Sequence, residues 1–358
     1  MSFERKNIAR IEGYLPGEQP SSADIIKLNT NENPYPASPL VAETLAAIQV
    51  GDLRRYPSSL ADEFCSFAGK VHGVSSGNII STNGGDELLR LTLTTFADES
   101  DSLAITTPSY SLYPVLARIH GCSLVEVPLN KDLTYPDKLN DLLGNLSAKI
   151  CILVNPHAPT GALLPVSFID ELASKFEGVL VVDEAYVDFV DPALSYDSIP
   201  LISKHKNLLL LRTLSKGYSL AGLRFGYGIG DSELIAPIKF KCRDSYNTDY
   251  ISQQLARAAL KSKTYAMSTW DKIRHSRTAL SEQLNQLGVK TWPSEANFIL
   301  AKISENPGAE YVYQRLKSDH ILVRHFDLDN LRDKIRITVG SEEENKRFIS
   351  SLKNILKV

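Results

Sequence analysis

Residues 210–230 read Leu-Leu-Arg-Thr-Leu-Ser-Lys-Gly-Tyr-Ser-Leu-Ala-Gly-Leu-Arg-Phe-Gly-Tyr-Gly-Ile-Gly. The apolar run Leu208–Leu211 predicts a buried strand that ends in a polar turn, Thr213–Lys216. Small residues then separate Lys216 from Arg224, so the backbone can turn tightly and approach a ligand closely. A lysine beside a glycine is more often a solvated surface residue. Other segments must therefore support a chemical role for Lys216.

The same turn carries groups that suit a phosphorylated carbonyl compound. Thr213, Ser215 and Arg224 offer hydrogen-bond donors to a phosphate. A lysine kept away from solvent can lose its proton and attack a carbonyl carbon, forming a Schiff base. This combination suggests pyridoxal 5′-phosphate as a cofactor.

Length and composition describe an ordinary globular protein. The chain has 358 residues, of which 43% are hydrophobic and 23% charged, enough for one large domain and a smaller one. A net charge of -3 argues against nucleic-acid and membrane-surface partners, so small-molecule substrates are expected. The four cysteines are scattered, and the N-terminus lacks the apolar segment of a signal peptide. We therefore expect a soluble, unprocessed, cytoplasmic protein without a metal site.

An alternation of short apolar segments and helical patterns begins at residue 79 and predicts an α/β fold. Seven strands are expected between residues 79 and 229, with functional groups in the loops at their carboxyl ends. A helical pattern over 250–287 precedes a mixed segment, which includes a strand predicted over 321–324. We divide the chain into an N-terminal arm (1–34), a large domain (35–250) and a smaller α+β domain (251–358).

Polar residues follow two of the other predicted strands. Gly84, Gly85 and Asp86 lie where a strand passes into a helix, so free backbone N–H groups would face an anion there. A simple glycine turn with Asp86 as helix cap explains the same residues equally well. Tyr110 begins the next helical pattern and would either stack on a flat ring or pack in the core.

Asp183 directly follows the aliphatic run Val179–Val182. A carboxylate in that position costs several kcal/mol unless a cation pairs with it. The pyridinium nitrogen of pyridoxal phosphate is one suitable partner, and an ion pair with Lys216 or Arg224 is the structural alternative.

Six segments together resemble the histidinol-phosphate aminotransferases, a family of fold type I pyridoxal-phosphate enzymes, and they cover nearly the whole chain in order. The lysine block and Asp183–Tyr186 are specific for the superfamily, whereas the N-terminal and C-terminal segments indicate the family. The segments are Asn29–Pro34, Gly84–Glu87, Asp183–Tyr186, Thr213–Arg224, Asn297–Leu300 and Leu331–Gly340. The resemblance implies a mostly parallel seven-stranded sheet in the large domain and a role in histidine biosynthesis.

The resemblance also implies how the cofactor is held. Lys216 would bond to the cofactor and then move the substrate proton, Asp183 would bind the ring nitrogen, and Tyr186 the ring hydroxyl. Tyr110 would stack on the ring. The phosphate would be held by Gly84, Gly85, Asp86, Thr213, Ser215 and Arg224.

Substrate and partner residues follow from the same resemblance. Arg336, with Arg324, would bind the anionic end of histidinol phosphate or of glutamate and 2-oxoglutarate. Tyr56 would reach the cofactor phosphate of a second subunit, which implies a homodimer. The full substrate-binding set that the resemblance implies is Tyr14, Asn33, Asn297, Arg324 and Arg336.

One position departs from the family pattern. Ala158 stands where the family has an asparagine that donates to the ring hydroxyl of the cofactor. We expect Asn155 to take over this role, with Tyr186 acting alone as the alternative.

The leading interpretation is an aminotransferase acting on histidinol phosphate. An aromatic amino-acid aminotransferase would use the same arginine for a carboxylate, and a phosphothreonine-type decarboxylase would share the lysine block. A cofactor-binding regulator would need an additional basic DNA-binding domain, for which the chain has no room.

Overall fold

The structure is a computed structural model that describes residues 3–22 and 24–357. Its strands are β1 (Ile26–Lys27), β2 (Ile79–Thr82), β3 (Ser102–Thr107), β4 (Ser123–Pro128), β5 (Ile150–Val154), β6 (Val179–Asp183), β7 (Leu208–Thr213), β8 (Gly226–Gly230), β9 (Lys290–Thr291), β10 (Phe298–Lys302), β11 (Ile321–Leu322), β12 (Arg324–His325) and β13 (Lys334–Thr338). Its α-helices are α1 (Pro39–Ala47), α2 (Asp62–His72), α3 (Gly84–Phe96), α4 (Leu112–His120), α5 (Leu139–Gly144), α6 (Val166–Lys175), α7 (Ser232–Pro237), α8 (Tyr250–Lys261), α9 (Lys263–Gln286), α10 (Ala309–Ser318) and α11 (Glu342–Leu356).

The central sheet has seven strands in the order β2-β8-β7-β6-β5-β3-β4. Strand β8 runs antiparallel to both of its neighbours, and the other adjacent pairs are parallel. The predicted α/β class and the mostly parallel seven-stranded sheet are therefore confirmed.

Helices cover both faces of this sheet, which explains the near-continuous apolar strands. Alternate residues of β6 enter different hydrophobic clusters because successive side chains of a strand point to opposite faces. Leu180 and Val182 share a cluster with Leu172 of α6, whereas Val181 shares one with Leu88 of α3. All five residues of β6 are buried.

The carboxyl ends of β2, β3, β5, β6 and β7 meet at one edge of the sheet, because these five strands run in the same direction. The start of β8 lies at the same edge, close to the first turn of α3. A Cβ atom added to Gly226 would lie 2.7 Å from the carbonyl carbon of Gly84. Only a glycine at position 226 allows this approach of the two backbones.

The C-terminal part contains a separate antiparallel sheet in the order β12-β13-β10-β9. The N-terminal arm is attached to this part, since β1 pairs in parallel with β11 and the Thr338 N–H donates to the Leu28 carbonyl at 2.9 Å. Within the described ranges, no helix has both the length and the apolar character needed to cross a bilayer.

Two sequence-based boundaries are wrong in detail. The helical pattern predicted over 250–287 breaks at Ser262, whose hydroxyl donates to the carbonyls of Ala258 and Ala259 and ends α8. The strand predicted over 321–324 forms two short strands because β11 pairs with the arm and β12 with β13. Local patterns do not distinguish these pairing partners.

Candidate functional site

Lys216 lies in the turn that follows the carboxyl end of β7. Its Nζ donates to the Thr30 carbonyl of the arm at 2.8 Å. Burial, and after it the positive charge of Arg336, lower the pKa of Lys216 from 10.5 to about 8. A substantial fraction of the amine is therefore neutral, and hence nucleophilic, a little above neutral pH.

Asp183 ends β6 and is 5% exposed. Its Oδ2 accepts from the Tyr113 hydroxyl at 2.7 Å and its Oδ1 from the Ala185 N–H at 3.1 Å. Burial raises its pKa to about 6. Neither Lys216 nor Arg224 forms an ion pair with it, so the structural alternative raised above is wrong. A cationic ligand fits this carboxylate.

An anion cradle forms where the first turn of α3 meets Arg224. Gly84 has a φ of 77°, and a Cβ atom there would lie 2.7 Å from Arg224 Nη2. Arg224 Nη1 donates to Ser215 Oγ at 3.3 Å, and Nη2 lies 3.8 Å from Asp86 Oδ2. Together with the amides of Gly84 and Gly85 at the helix start, these donors suit a phosphate.

Thr213 shapes the turn that precedes Lys216. Its hydroxyl donates to the Phe225 carbonyl at 3.3 Å and accepts from the Ser215 N–H at 3.1 Å. The threonine is buried, so its described contacts fix the turn and place Ser215 beside Arg224.

Three tyrosines form an aromatic wall beside the cradle. The ring of Tyr110 packs edge-on against Tyr14 at 5.7 Å and Tyr113 at 5.4 Å between centroids. Its hydroxyl donates to Asp86 Oδ1 at 3.5 Å. Burial raises the pKa of Tyr110, so the phenol stays neutral. Tyr113 was not assigned from the sequence. Its N–H donates to the Tyr110 carbonyl at 3.2 Å in the turn that leads into α4, so the two rings lie close together.

Arg336 of β13 is the main cation on the C-terminal side. Its guanidinium lies 5.1 Å from the Phe298 ring centroid and 5.6 Å from that of Phe326. Nη2 donates to the Asn29 carbonyl at 3.1 Å, whereas buried Nε has no described partner. Arg324 lies opposite Arg336 in the strand register and contacts Phe326.

Residues 29–33 of the arm lie between Lys216 and Tyr186 on one side and Arg336 on the other. Asn31 Nδ2 donates to the Tyr186 hydroxyl at 2.9 Å, and the adjacent Thr30 carbonyl accepts from Lys216. The segment is rich in asparagine, and no individual role was predicted for Thr30 or Asn31. Only the folded arm shows which of these side chains reaches the strand ends.

Three asparagines that were predicted to bind a ligand have hydrogen-bond partners within the protein. Asn155 Nδ2 donates to the Leu164 carbonyl and the Tyr196 hydroxyl, both at 3.0 Å, so Asn155 has no donor left for a cofactor hydroxyl. Asn33 Nδ2 contacts the Gly217 carbonyl and Thr269, each at 3.3 Å.

Asn297 is the third. Its Nδ2 donates to the Asn31 carbonyl at 3.0 Å, and its side chain is fully buried beneath the arm. Asn33 and Asn297 therefore hold the arm in place, and the substrate-binding role of both stays a prediction.

Tyr56 lies apart from these groups on the surface. Its side chain is 81% exposed, and its ring stacks on Tyr246 with a centroid distance of 4.4 Å. Within one described chain it makes no contact with Lys216 or Arg224.

The chain matches both a family profile and individual proteins of known name. A profile of the family described as "Aminotransferase class I and II" matches residues 23–352. Histidinol-phosphate aminotransferase 1 of Trichormus variabilis is 39% identical over 357 residues, covering 99% of both chains. The histidinol-phosphate aminotransferase of Geotalea uraniireducens is 42% identical over 354 residues, covering 98% of this chain and 99% of its own.

A solved structure shares the fold. The histidinol-phosphate aminotransferase of Sinorhizobium meliloti, solved in complex with pyridoxal-5′-phosphate, superposes with a TM-score of 0.90 at 24% identity. The match covers 100% of this chain and 98% of that one. The fold type I architecture and the family resemblance are confirmed.

The pKa of Lys216 is directly testable in the cofactor-free protein. We expect an amine-reactive reagent to label Lys216 with a pH midpoint near 8, because burial disfavours its charged form. Exposed Lys206, whose pKa is raised by its bond to Glu233, serves as the internal control and should label at higher pH. Mass spectrometry of labelled peptides measures both sites. Parallel labelling curves for the two lysines would contradict the assignment.

Proposed function

Because the chain belongs to the class I and II aminotransferases, we propose that it uses pyridoxal 5′-phosphate to exchange an amino group between L-histidinol phosphate and 2-oxoglutarate. The products are imidazole-acetol phosphate and glutamate, a reaction of histidine biosynthesis. Full-length relatives at about 40% identity, named for this activity, support the substrate assignment. A cytoplasmic location is part of the proposal, and the four free thiols support it.

The proposal rests on the proximity of Lys216 to Arg336. Their side chains bond to neighbouring carbonyls of the arm, Thr30 and Asn29. A nucleophilic amine thus lies near an arginine that has a buried, unpartnered Nε–H. An amino donor with an anionic end would satisfy the arginine while its amino group lies near Lys216.

The cofactor fits the groups present. Buried Asp183 lacks a cation and would hold the protonated ring nitrogen. Gly84, Gly85, Asp86, Ser215 and Arg224 would hold the phosphate, with Thr213 shaping their turn. Tyr110 offers a ring face beside the cradle, and Tyr186 offers a phenol to the ring hydroxyl.

Bound pyridoxal phosphate supplies a carbonyl that condenses with amines and a ring that accepts the electrons of a broken Cα–H bond. The protein contributes acid–base chemistry and orientation. Neutral Lys216 Nζ takes the proton from Cα of the amino donor and later returns it as an acid. Asp183 keeps the ring nitrogen protonated, and Arg336 orients the substrate through its anionic end.

Arg336 would serve both substrates in turn, since histidinol phosphate and glutamate each carry an anion away from the reacting carbon. Arg324 faces the same Phe326 ring from the neighbouring strand and adds positive charge. Tyr14, 37% exposed beside Tyr110, would cover the substrate from the arm.

The test is a pair of half-reactions on the cofactor-loaded enzyme. Glutamate and histidinol phosphate should each abolish the visible absorption of the cofactor, and Arg336→Lys should impair both. A point-charge ammonium cannot reproduce two parallel hydrogen bonds to a phosphate or carboxylate. The loss should appear mostly as weaker binding, whereas Arg336→Ala should lower kcat/KM about a hundredfold or more.

Three outcomes would contradict the proposal. Release of carbon dioxide would identify a decarboxylase. An Arg336 variant that loses an aromatic amino acid but keeps histidinol phosphate would identify an aromatic aminotransferase. If neither substrate responds to Arg336, the anion site lies elsewhere, and Arg324 is the next candidate.

We also propose a homodimer in which Tyr56 of each chain reaches the cofactor phosphate of the other. An exposed apolar strip, comprising Val50, Leu53, Tyr56 and Tyr246, supports an interface at this surface. A tyrosine that contacts no site group of its own chain is available to a second copy.

A mixed dimer tests the crossing of Tyr56. One subunit carries Lys216→Ala and the other Tyr56→Phe. If Tyr56 crosses, both defects fall on one site and the other site keeps its cofactor and its full rate. The isolated Tyr56→Phe dimer should retain the cofactor less tightly, by the ~1.5–3 kcal/mol of a hydrogen bond to a charged group. One defect at each site would show that Tyr56 serves its own chain.

A further inference from the structure

The phenol of Tyr186 has one described hydrogen-bond partner, the Nδ2 of Asn31 at 2.9 Å. Its ring is fixed edge-on against Phe298, with centroids 5.1 Å apart. A phenol can donate one hydrogen bond and accept others. The direction of the Asn31 contact therefore decides where the phenol proton is available.

The Asn31 amide has its oxygen toward Thr338 and its nitrogen toward Tyr186. Its Oγ1 accepts from the Asn31 backbone N–H at 3.0 Å and lies 3.2 Å from Asn31 Oδ1. Because the Asn31 oxygen can only accept, the threonine hydroxyl must donate to it. The amide NH₂ of Asn31 then faces Tyr186, and the Tyr186 oxygen is the acceptor. The phenol proton remains free for another acceptor.

Residues 155 and 158, in the loop beside Tyr186, offer no other side-chain donor to the cofactor ring. Ala158 carries only a methyl group, which is buried in the same apolar cluster as Phe298. Asn155 uses its amide hydrogens on Leu164 and Tyr196. A ring hydroxyl of the cofactor would therefore depend on Tyr186.

We infer that Asn31 is a positioning residue that orients the Tyr186 proton toward the oxygen of the cofactor ring, doing so from the arm because Ala158 provides no donor. The inference rests on the proposed function, since it requires bound pyridoxal phosphate. It assigns a specific role to an arm residue far from the strand ends in sequence.

The local backbone suits an asparagine at this position. Asn31 has a φ of 57°, a left-handed conformation that asparagine adopts more readily than most residues. It is 2% exposed, and Asn297 Nδ2 holds its carbonyl. Backbone and side chain are therefore both fixed, as a residue that orients a proton requires.

A double-mutant cycle tests the inference by spectroscopy, separately from activity. Asn31→Gly removes the amide while keeping a residue that tolerates a positive φ. Asn31→Asp keeps the shape, but a carboxylate accepts from Tyr186 and reverses the hydrogen bond. Each change is combined with Tyr186→Phe, and the pH midpoint of the visible absorption of the bound cofactor is measured, together with cofactor affinity.

We expect Asn31→Gly to raise the midpoint by about one pH unit, because the anionic ring oxygen loses an oriented donor. In the Tyr186→Phe background, the same change should have almost no effect. Asn31→Asp also adds a negative charge, so only its coupling to Tyr186→Phe counts as support. Asn29→Ala is the matched control, since this buried arm asparagine donates to the Glu18 carbonyl and should leave the midpoint unchanged.

The outcomes separate two failures. If the wild type does not bind pyridoxal phosphate or exchange amino groups, the proposed function fails. If the wild type does both, two results overturn the role of Asn31 alone. One is an Asn31→Gly midpoint equal to that of the wild type, and the other is an equal shift with and without Tyr186→Phe. If Asn29→Ala shifts the midpoint as much as Asn31→Gly does, the effect comes from docking of the arm and not from the Asn31 amide, and the role of Asn31 is likewise overturned.

Discussion

Charges buried without a counter-charge are the constraint on which this site depends. Asp183 is enclosed with only neutral donors, and Lys216 and Arg336 bond to backbone carbonyls of the arm. Each burial disfavours the charged form of the group, which is why the pKa of the acid rises and those of the bases fall. Their missing partners are the charges that pyridoxal phosphate and an anionic amino donor would supply.

The arm brings together side chains that the edge of the seven-stranded sheet alone does not hold. Lys216 and Tyr186 belong to the part of the chain with the seven-stranded sheet, whereas Arg336 and Thr338 belong to β13 in the other sheet. Residues 29–33 contact both, so the Lys216 amine, the Tyr186 phenol and the Arg336 guanidinium are held in one arrangement. We attribute the positions of the reacting groups to this shared segment, because preorganised groups lose less entropy when a ligand binds.

The positions of many site residues were predictable from the sequence because local patterns determine them. An apolar run followed by one polar residue located Asp183 and Lys216 at strand ends, and a glycine pair located the start of α3. Side-chain partners were not predictable, since tertiary contacts decide them. Asn155 and Asn33 have the polar groups of a binding site, but protein groups already accept both amide hydrogens of each. The division at residues 34 and 250, and the roles given to the site residues, stay predictions.

The most direct test of this account is the unfolding free energy of Asp183→Asn in the cofactor-free protein at pH 8. A pKa raised from 3.8 to about 6 means that the charge destabilises the fold by ~3 kcal/mol above pH 6, and that this cost disappears as pH falls below 4. We predict that the variant is at least as stable as the wild type at pH 8 and that saturating pyridoxal phosphate stabilises it less. A loss of several kcal/mol without cofactor, as when an ion pair is broken, would contradict the account.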